Sequence, residues 1–559
     1  MSTGTTVPRH PVGTSGAVEH AKADELNYLH QAAAKALATN GVDSVFGLAG
    51  DGNLFLVDSY SRIPGVRYYA AVHEAGVVMM ACGYAQRTGR LGVATVTRGP
   101  GLTNTLTALT EAVRVRAPMV MIVGDTPSDD YEHVQDVDQA AFVLPTGAGF
   151  EQVRSADTAL RDLAVAAQRA FAEQRPVVLN VPHAFWWEHV SDAVLVWQHD
   201  PQVIAPDPEM LDRAAGALVS ARRPIIVAGR GASSADARDA ILELSRRLEA
   251  PVATTLRAMD LFRDHPWNVG IFGNLASIAA QDVVARADCV IFFGAGLNQR
   301  TTDRNRLIAG KAVISVDLDR SLLSRRAFVD VGVVGDVAAT ANAMLGLLDE
   351  AEIVPSGFGP SISALLADKD TPLTPNKPAY IDEVFDVVDA QFATDRTVVY
   401  DTGRYVFTAV RRVHVPHPDA YVHTFGYGAI GLGMGAAIGA AVADPRPVLF
   451  AVGDGGFMNG GMTEFNTAVR YGLDITVVVL NDGAYGAEFA QFAARDMDPS
   501  TSQITWPPLA DVAEALGGRG FTAANRTELE AALKAAQDIQ TPTLIDVRLD
   551  PADIPPEAH

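Results

Sequence analysis

The sequence predicts an α/β protein built from three doubly wound domains with mostly parallel sheets, and three observations carry that prediction. Short apolar runs of buried-strand type alternate with segments of helical spacing along most of the chain. Many of those runs end on a glycine or acidic turn, the place where an open α/β sheet presents ligands at the carboxyl ends of its strands. Two stretches of mixed Pro, Gly, Ser and Asp then divide the 559 residues into blocks at 26–185, 209–350 and 378–550, behind a tail at 1–25.

Composition narrows the class. A hydrophobic fraction of 48% with 20% charged residues is ordinary for a soluble globular chain. The formal net charge of −22 argues against nucleic acid as a partner, since a phosphate backbone calls for clustered Lys and Arg. No apolar run reaches the roughly 18 residues of a membrane span. The tail, rich in Gly, Thr, Ser and Pro, reads as disordered and lacks the apolar core of a signal peptide. Cys82 and Cys289 are the only cysteines, too few for a disulfide framework or a zinc site, so a reducing, cytoplasmic setting is expected.

In the first block a helical pattern at Leu26, Leu29, Ala33, Ala36 and Leu37 leads to a strand ending near Gly47. The following turn Gly50-Asp51-Gly52-Asn53 makes Asp51 either a plain turn residue or a carboxylate shown at the sheet edge. A strand over 66–72 runs into Glu74, which opens a helix to Gln86; an acid there is a favourable dipole partner. Gly76, Met79, Met80 and Gly83 of that helix are expected to pack on the sheet. The strand at 92–96 delivers Arg98-Gly99-Pro100-Gly101, where Arg98 suits a surface ion pair or a substrate carboxylate equally. Strands at 119–123 and 177–181 complete the block, and 186–208 reads as a linker.

The second block carries strands near 225–228, 251–254, 289–293 and 312–317. Its Gly294-Ala295-Gly296 is an incomplete dinucleotide fingerprint. After a linker at 353–377, the third block opens with a strand over 397–400 that ends at Asp401-Thr402-Gly403. Gly426-Tyr427-Gly428-Ala429-Ile430-Gly431 then precedes a helix of small residues, in which Ile430 is a lone bulky side chain and on its own an ordinary core contact. Blocks one and three echo each other: Arg116-Ala117-Pro118 before an apolar run parallels Gly472-Leu473-Asp474 before another.

Two turns close the third block. The run 448–452 ends on Gly453-Asp454-Gly455-Gly456, and the run 475–480 ends on Asn481-Asp482-Gly483-Ala484-Tyr485-Gly486. Parallel strands place both turns at one sheet edge. Glycines let backbone N–H groups approach phosphate oxygens, while Asp454 with Asp482 or Asn481 offers hard oxygen ligands for Mg²⁺. A single Gly-Asp-Gly turn suits a plain loop as well; the paired turn points to a metal-bridged diphosphate.

That pair resembles the thiamin diphosphate (ThDP) fingerprint of acetolactate synthases and 2-oxo acid decarboxylases, and the resemblance covers nearly the whole chain from about residue 25. It implies, in order, a pyrimidine-binding domain, a central Rossmann-like domain and a diphosphate-binding domain. It also implies Mg²⁺ on Asp454, Asp482 and the carbonyl of Ala484. Cofactor contacts would fall at Thr402, Gly403, Gly428, Ile430, Gly455, Gly456, Tyr485 and Gly486, with Glu74 on the aminopyrimidine ring. Asp482 follows Asp454 by 28 residues, about one more than is usual in the family. Anchoring on Glu464 places the extra residue within 457–461 and favours Asp482 over Asn481 as the second ligand.

By the same resemblance, Ile430 bends the cofactor, the Gly428 carbonyl accepts from its amino group, and Glu74 promotes activation of the thiazolium carbon that attacks a substrate carbonyl. Asp51, Glu488 and Gln139 stand where catalytic side chains are expected; read alone they are a turn residue, an exposed helix acid and a solvated amide. The adjacent His pair of simple decarboxylases is missing, with His133 only near the comparable stretch 134–139. The leading expectation is therefore a ThDP- and Mg²⁺-dependent carboligase or lyase acting on a 2-oxo acid, aldehyde or related hydroxyketone. Alternatives are a decarboxylase releasing an aldehyde, a non-catalytic ThDP-fold binding protein, and a flavin-dependent dehydrogenase using the middle block. FAD is possible, since the acetolactate synthase branch holds it there and related enzymes do without it. The family's site lies between the first domain of one subunit and the third of another, implying a homodimer or homotetramer.

Overall fold

A computed structural model describes residues 27–127, 130, 132–191, 196–197, 203–323, 327–366, 380–537 and 541–552. The expected tail at 1–25 and the latter part of the linker at 353–377 lie outside the described residues.

Three six-stranded sheets form, and every strand pairing within them is parallel. The first comprises β1 (Ser44–Gly47), β2 (Arg67–Ala70), β3 (Gly92–Val96), β4 (Met119–Asp125), β5 (Gly149–Gln152) and β6 (Pro176–Pro182), in the order β2-β1-β3-β4-β6-β5. The second comprises β7 (Pro224–Ala228), β8 (Val252–Thr254), β9 (Asn268–Ile271), β10 (Cys289–Phe293), β11 (Ala312–Asp317) and β12 (Val331–Val334), in the order β9-β8-β7-β10-β11-β12. That is the strand order of dinucleotide-binding sheets. The third comprises β13 (Thr397–Tyr400), β14 (Tyr421–His423), β15 (Val448–Gly453), β16 (Ile475–Asn481), β17 (Arg519–Ala523) and β18 (Thr543–Arg548), in the order β14-β13-β15-β16-β18-β17. The first and third sheets thus share one topology, which is the echo between the two blocks in structural form.

Central strands such as β4, β10 and β16 are buried almost throughout, as parallel strands covered on both faces must be, and their sequences are accordingly dominated by Val, Ile, Met and Phe. The cores are divided unevenly. The middle domain keeps its two clusters to itself, apart from the linking residues that follow it. One large cluster, by contrast, runs continuously from Phe46, Met80 and Met121 of the first domain to Ile438, Phe450 and Val477 of the third.

The bridge in that shared core is a helix crossing. Helix α1 (Glu74–Thr88) starts at an N-cap where His73 Nδ1 accepts from the Ala75 N–H, and it ends at Gly89 with φ of 67°. It crosses the small-residue helix α3 (Gly433–Ala443) so closely that a Cβ on Gly83 or Gly439 would collide with the carbonyl oxygen of Ala436 or Met80. Gly76 likewise lies against the third domain, so Gly76 and Gly83 do not pack on their own sheet as expected; their missing side chains make room for the other domain. At the rim, Arg87 is 6% exposed and pairs with Asp444 at 2.6 Å and Asp419 at 3.2 Å.

The stretch expected as the first linker is partly docked. Trp186 is 2% exposed and its indole donates to the Gly52 carbonyl at 3.0 Å, which pins the turn bearing Asp51. The first glycine of the incomplete fingerprint also has a structural use: the turns after β7 and β10 lie backbone to backbone at Gly231 and Gly294. Cys82 and Cys289 are both buried and free. Among the described residues, no helix is long and apolar enough to cross a membrane.

Candidate functional site

At the carboxyl edge of the third sheet, β15 and β16 are paired in register through Gly453 and Leu480, so their turns start side by side. Asp454 is 2% exposed, and its Oδ1 accepts from the Gly455 N–H at 2.8 Å. Burial first, and then the nearby charge of Asp454, push the Asp482 carboxyl up to about 7. Burial raises Asp454 as well. Two carboxylates brought together and dehydrated are costly unless a cation joins them. Asn481, the other candidate, is 3% exposed and its amide donates to Asp546 inside the fold at 2.8 Å, while Asp482 stands at the edge.

The stretch to which the resemblance assigns the extra residue is marked by a change of helix type. Asp454–Gly456 form one α-turn, Phe457–Gly461 form a π-turn, and helix α4 (Met462–Tyr471) continues from there. A π-turn absorbs one surplus residue without breaking the helix, and it falls in the stretch that the sequence assigns to the insertion. It also makes a contact. Asn459 donates to the Ile430 carbonyl at 3.1 Å, and Gly460 meets the backbone of Gly431, whose φ is 86°.

Buried Asp401, at the end of β13, ties this edge together. It accepts from the Gly431 N–H at 2.7 Å and the Thr424 hydroxyl at 2.9 Å, and burial raises its carboxyl to about 6. Thr402 and Gly403 follow at the same edge, half-buried. Gly428 has φ of 87° and Ile430 is half-buried beside it. Ala484, Tyr485 and Gly486 lead into helix α5 (Gly486–Ala493), on which Glu488 is exposed beside Gln491, Phe492 and Arg495.

The first sheet gathers the remaining expected residues at its own carboxyl edge. Glu74 accepts from Asn104 Nδ2 at 3.0 Å. Arg98 is 3% exposed, pairs with the outward-facing carboxylate of Asp51 and lies 3.4 Å from His133. Gln139 is 4% exposed and its amide is engaged inside the domain: it accepts from the Gly99 N–H at 3.0 Å and donates to the Gly124 carbonyl at 2.9 Å and to Asn180 at 2.5 Å. It is therefore not a solvated amide. A cavity of about 470 Å³ opens beside it, lined by Asp125, Asp136 and Asn180 among others.

Two buried glutamates join the edges of different domains, in roles that local sequence pattern hardly marks. Glu464 on α4 accepts from the N–H groups of Val72 and His73 at 3.1 and 3.0 Å, directly before Glu74. Glu111, on helix α2 (Leu106–Arg114), accepts from those of Gly426 and Tyr427 at 2.8 and 2.5 Å, directly before Gly428. Each domain thus holds the turn of the other from which an expected cofactor contact springs. Burial raises both carboxyls. A legible trace of Glu111 was its position on the apolar face of an amphipathic helix, between Ala108, Leu109 and Ala112, all fully buried.

Comparison with known proteins bears on all three domains. The family model described as the thiamine pyrophosphate enzyme N-terminal TPP binding domain matches residues 28–142. That of the central domain matches 211–344, and that of the C-terminal TPP binding domain matches 401–547. Over 93% of this chain and 93% of its own length, a probable 2-ketoarginine decarboxylase AruI of Pseudomonas aeruginosa is 30% identical. The acetolactate synthase large subunit of Haemophilus influenzae is 25% identical over 93% of this chain and 94% of its own. The large subunit of acetolactate synthase isozyme 2 of Escherichia coli is 27% identical over 92% and 94%.

Proposed function

The chain belongs to the thiamine pyrophosphate enzymes, which make it a ThDP-dependent catalyst of C–C bond formation or cleavage, and within that family we propose a Mg²⁺-dependent carboligase acting on a 2-oxo acid or related hydroxyketone. The observation that carries the metal and diphosphate part is the pair of acid turns at one sheet edge, with the surplus residue taken up by the π-turn. The donor set fits the cofactor: two carboxylates and a backbone carbonyl are hard oxygen ligands that leave room for diphosphate oxygens on Mg²⁺.

In this reading Asp454, Asp482 and the Ala484 carbonyl hold Mg²⁺, and Gly455, Gly456, Thr402, Gly403, Tyr485 and Gly486 line the diphosphate. Bound ThDP supplies a thiazolium carbon that stores the electron pair of the bond being made or broken. Ile430 and the Gly428 carbonyl set the bend of the cofactor, held from behind by Asp401, Asn459 and Glu111. Glu74 shares a proton with the aminopyrimidine ring, and Glu464 fixes the backbone before it. Gln139 acts on the Gly99 turn from inside the domain. Glu488 and Asp51 stand at the rim as proton-handling groups.

Carboligation is favoured over aldehyde release by the contact of Asp51 with Arg98 and by the lack of an adjacent His pair. The decarboxylase reading draws support from the relative named as a 2-ketoarginine decarboxylase. Incubating the holoenzyme with a panel of 2-oxo acids and aldehydes, with products identified by NMR, separates the two. A coupled 2-hydroxy ketone is expected; free aldehyde as the sole product selects the second reading. Near-normal turnover by Glu74→Gln would sink both. The site is completed by the first domain of a second copy, so sedimentation is expected to show a dimer or tetramer. Gly294 at the edge of the middle sheet has a packing partner in Gly231 without a flavin, and the visible spectrum of the purified protein decides whether FAD is also carried.

A further inference from the structure

A strap formed by residues 499–506 lies over the second acid turn and closes on the first. Its 3₁₀ turn, Pro499–Ser502, ends where the Ser502 carbonyl accepts from the Tyr485 N–H at 2.8 Å. Gln503 forms an antiparallel bridge with Ala484, and the Ile504 N–H donates to the Gly483 carbonyl at 2.8 Å. The strap then places Trp506 against the core shared by the outer domains, with its indole Nε1–H donating to Asp454 Oδ2 at 2.8 Å. One short segment therefore grips the second turn by its backbone and the first by a side chain.

We infer that Trp506 is a positioning residue for the metal site, fixing the Asp454 carboxylate in the orientation from which it meets the cation. This rests on the assignment of Mg²⁺ to Asp454 and Asp482 above. The physical case is the general one for groups behind a metal ligand: Oδ1 of Asp454 already accepts from the Gly455 N–H, the indole is the second restraint and the one on Oδ2, and loss of such a partner commonly weakens metal affinity about ten- to hundred-fold. An indole suits the task because it only donates and never competes for the cation. Asp454 is buried, so no solvent donor replaces the indole when it is removed.

The test is Mg²⁺ titration by calorimetry, with ThDP saturating, on wild type, Trp506→Phe and Trp506→His. Phe is expected to weaken Mg²⁺ binding about ten- to hundred-fold, and His, which restores a ring N–H, to recover part of the loss. In wild-type protein labelled with 5-fluorotryptophan, one of the five tryptophan ¹⁹F signals is expected to move when Mg²⁺ is added; this measurement stands even if the Phe variant fails to fold. Equal Mg²⁺ affinity in wild type and Trp506→Phe, or no ¹⁹F signal responding to bound Mg²⁺, overturns the role of Trp506 and leaves the metal assignment intact. Failure of wild type to bind Mg²⁺ with ThDP overturns both.

Discussion

If Asp482 holds Mg²⁺ as proposed, its carboxyl makes metal binding a function of pH within the physiological range. With its pKa pushed up to about 7 by burial and by Asp454, a proton and Mg²⁺ compete for the same oxygens. At pH 6 about nine molecules in ten carry that proton and at pH 8 about one in ten, so apparent Mg²⁺ affinity should rise about tenfold from pH 6 to pH 8, or about 1.4 kcal/mol. Calorimetric titration of Mg²⁺ at saturating ThDP from pH 6 to 8 measures this. Asp482→Asn supplies an oxygen ligand without a titrating proton, and its curve should be the flatter by that factor. The metal-free protein should behave in the opposite sense. A carboxyl raised on folding contributes stability that is fully present below its unfolded pKa near 4 and is lost as pH rises through about 7. Thermal stability without Mg²⁺ should therefore decline from about pH 4 to 7, by at most about 4 kcal/mol from this group, and added Mg²⁺ should restore it at the upper end. A pH-independent affinity in wild type, or an unchanged slope in Asp482→Asn, would refute the coupling.

Gly439→Ala, which drives a Cβ into the Met80 carbonyl, should cost about 3 kcal/mol or more and lower the melting temperature. Gly216→Ala, inside the helix Pro208–Ser220 with no atom near its Cβ, should instead stabilise by about 0.5–1 kcal/mol; calorimetric melting compares the two. Glu464→Ala removes the acceptor of two N–H groups before Glu74 and should lower kcat about tenfold or more in steady-state assays, with far-UV circular dichroism unchanged. Arg98→Ser frees Asp51, and product NMR should show a larger share of free aldehyde than in wild type.

The parts of this architecture that were legible in the sequence are those written locally. A strand buried on both faces must be apolar throughout, so β4, β10 and β16 announced themselves, and the turns after β15 and β16 declared their glycines and acids. The surplus residue could be counted, although its π geometry could not. What escaped notice depends on distant partners. Glu464 and Val72 are separated by 392 positions and Glu111 and Gly426 by 315, and an acid within a helix gives no sign of which backbone it meets. Trp506 sits in a segment without periodicity, and its use appears only when the strap folds back over Gly483 and Ala484. At Gly76 and Gly83, spacing shows that a helix face is small, but not that the other domain rather than the sheet needs it to be small.

The core shared between the outer domains has a consequence for biosynthesis. Helix α1 emerges from the ribosome roughly 350 residues before its crossing partner α3, an interval of roughly 20–70 s at ordinary elongation rates. Throughout it, the glycine-lined face of α1 and the apolar residues around it have no cover, while the middle domain, with its own clusters, is free to complete its fold. The nascent chain therefore carries an open hydrophobic seam until the last third has been made, and that seam, rather than any single strand, is where a growing chain of this protein is most exposed to mispairing or chaperone capture.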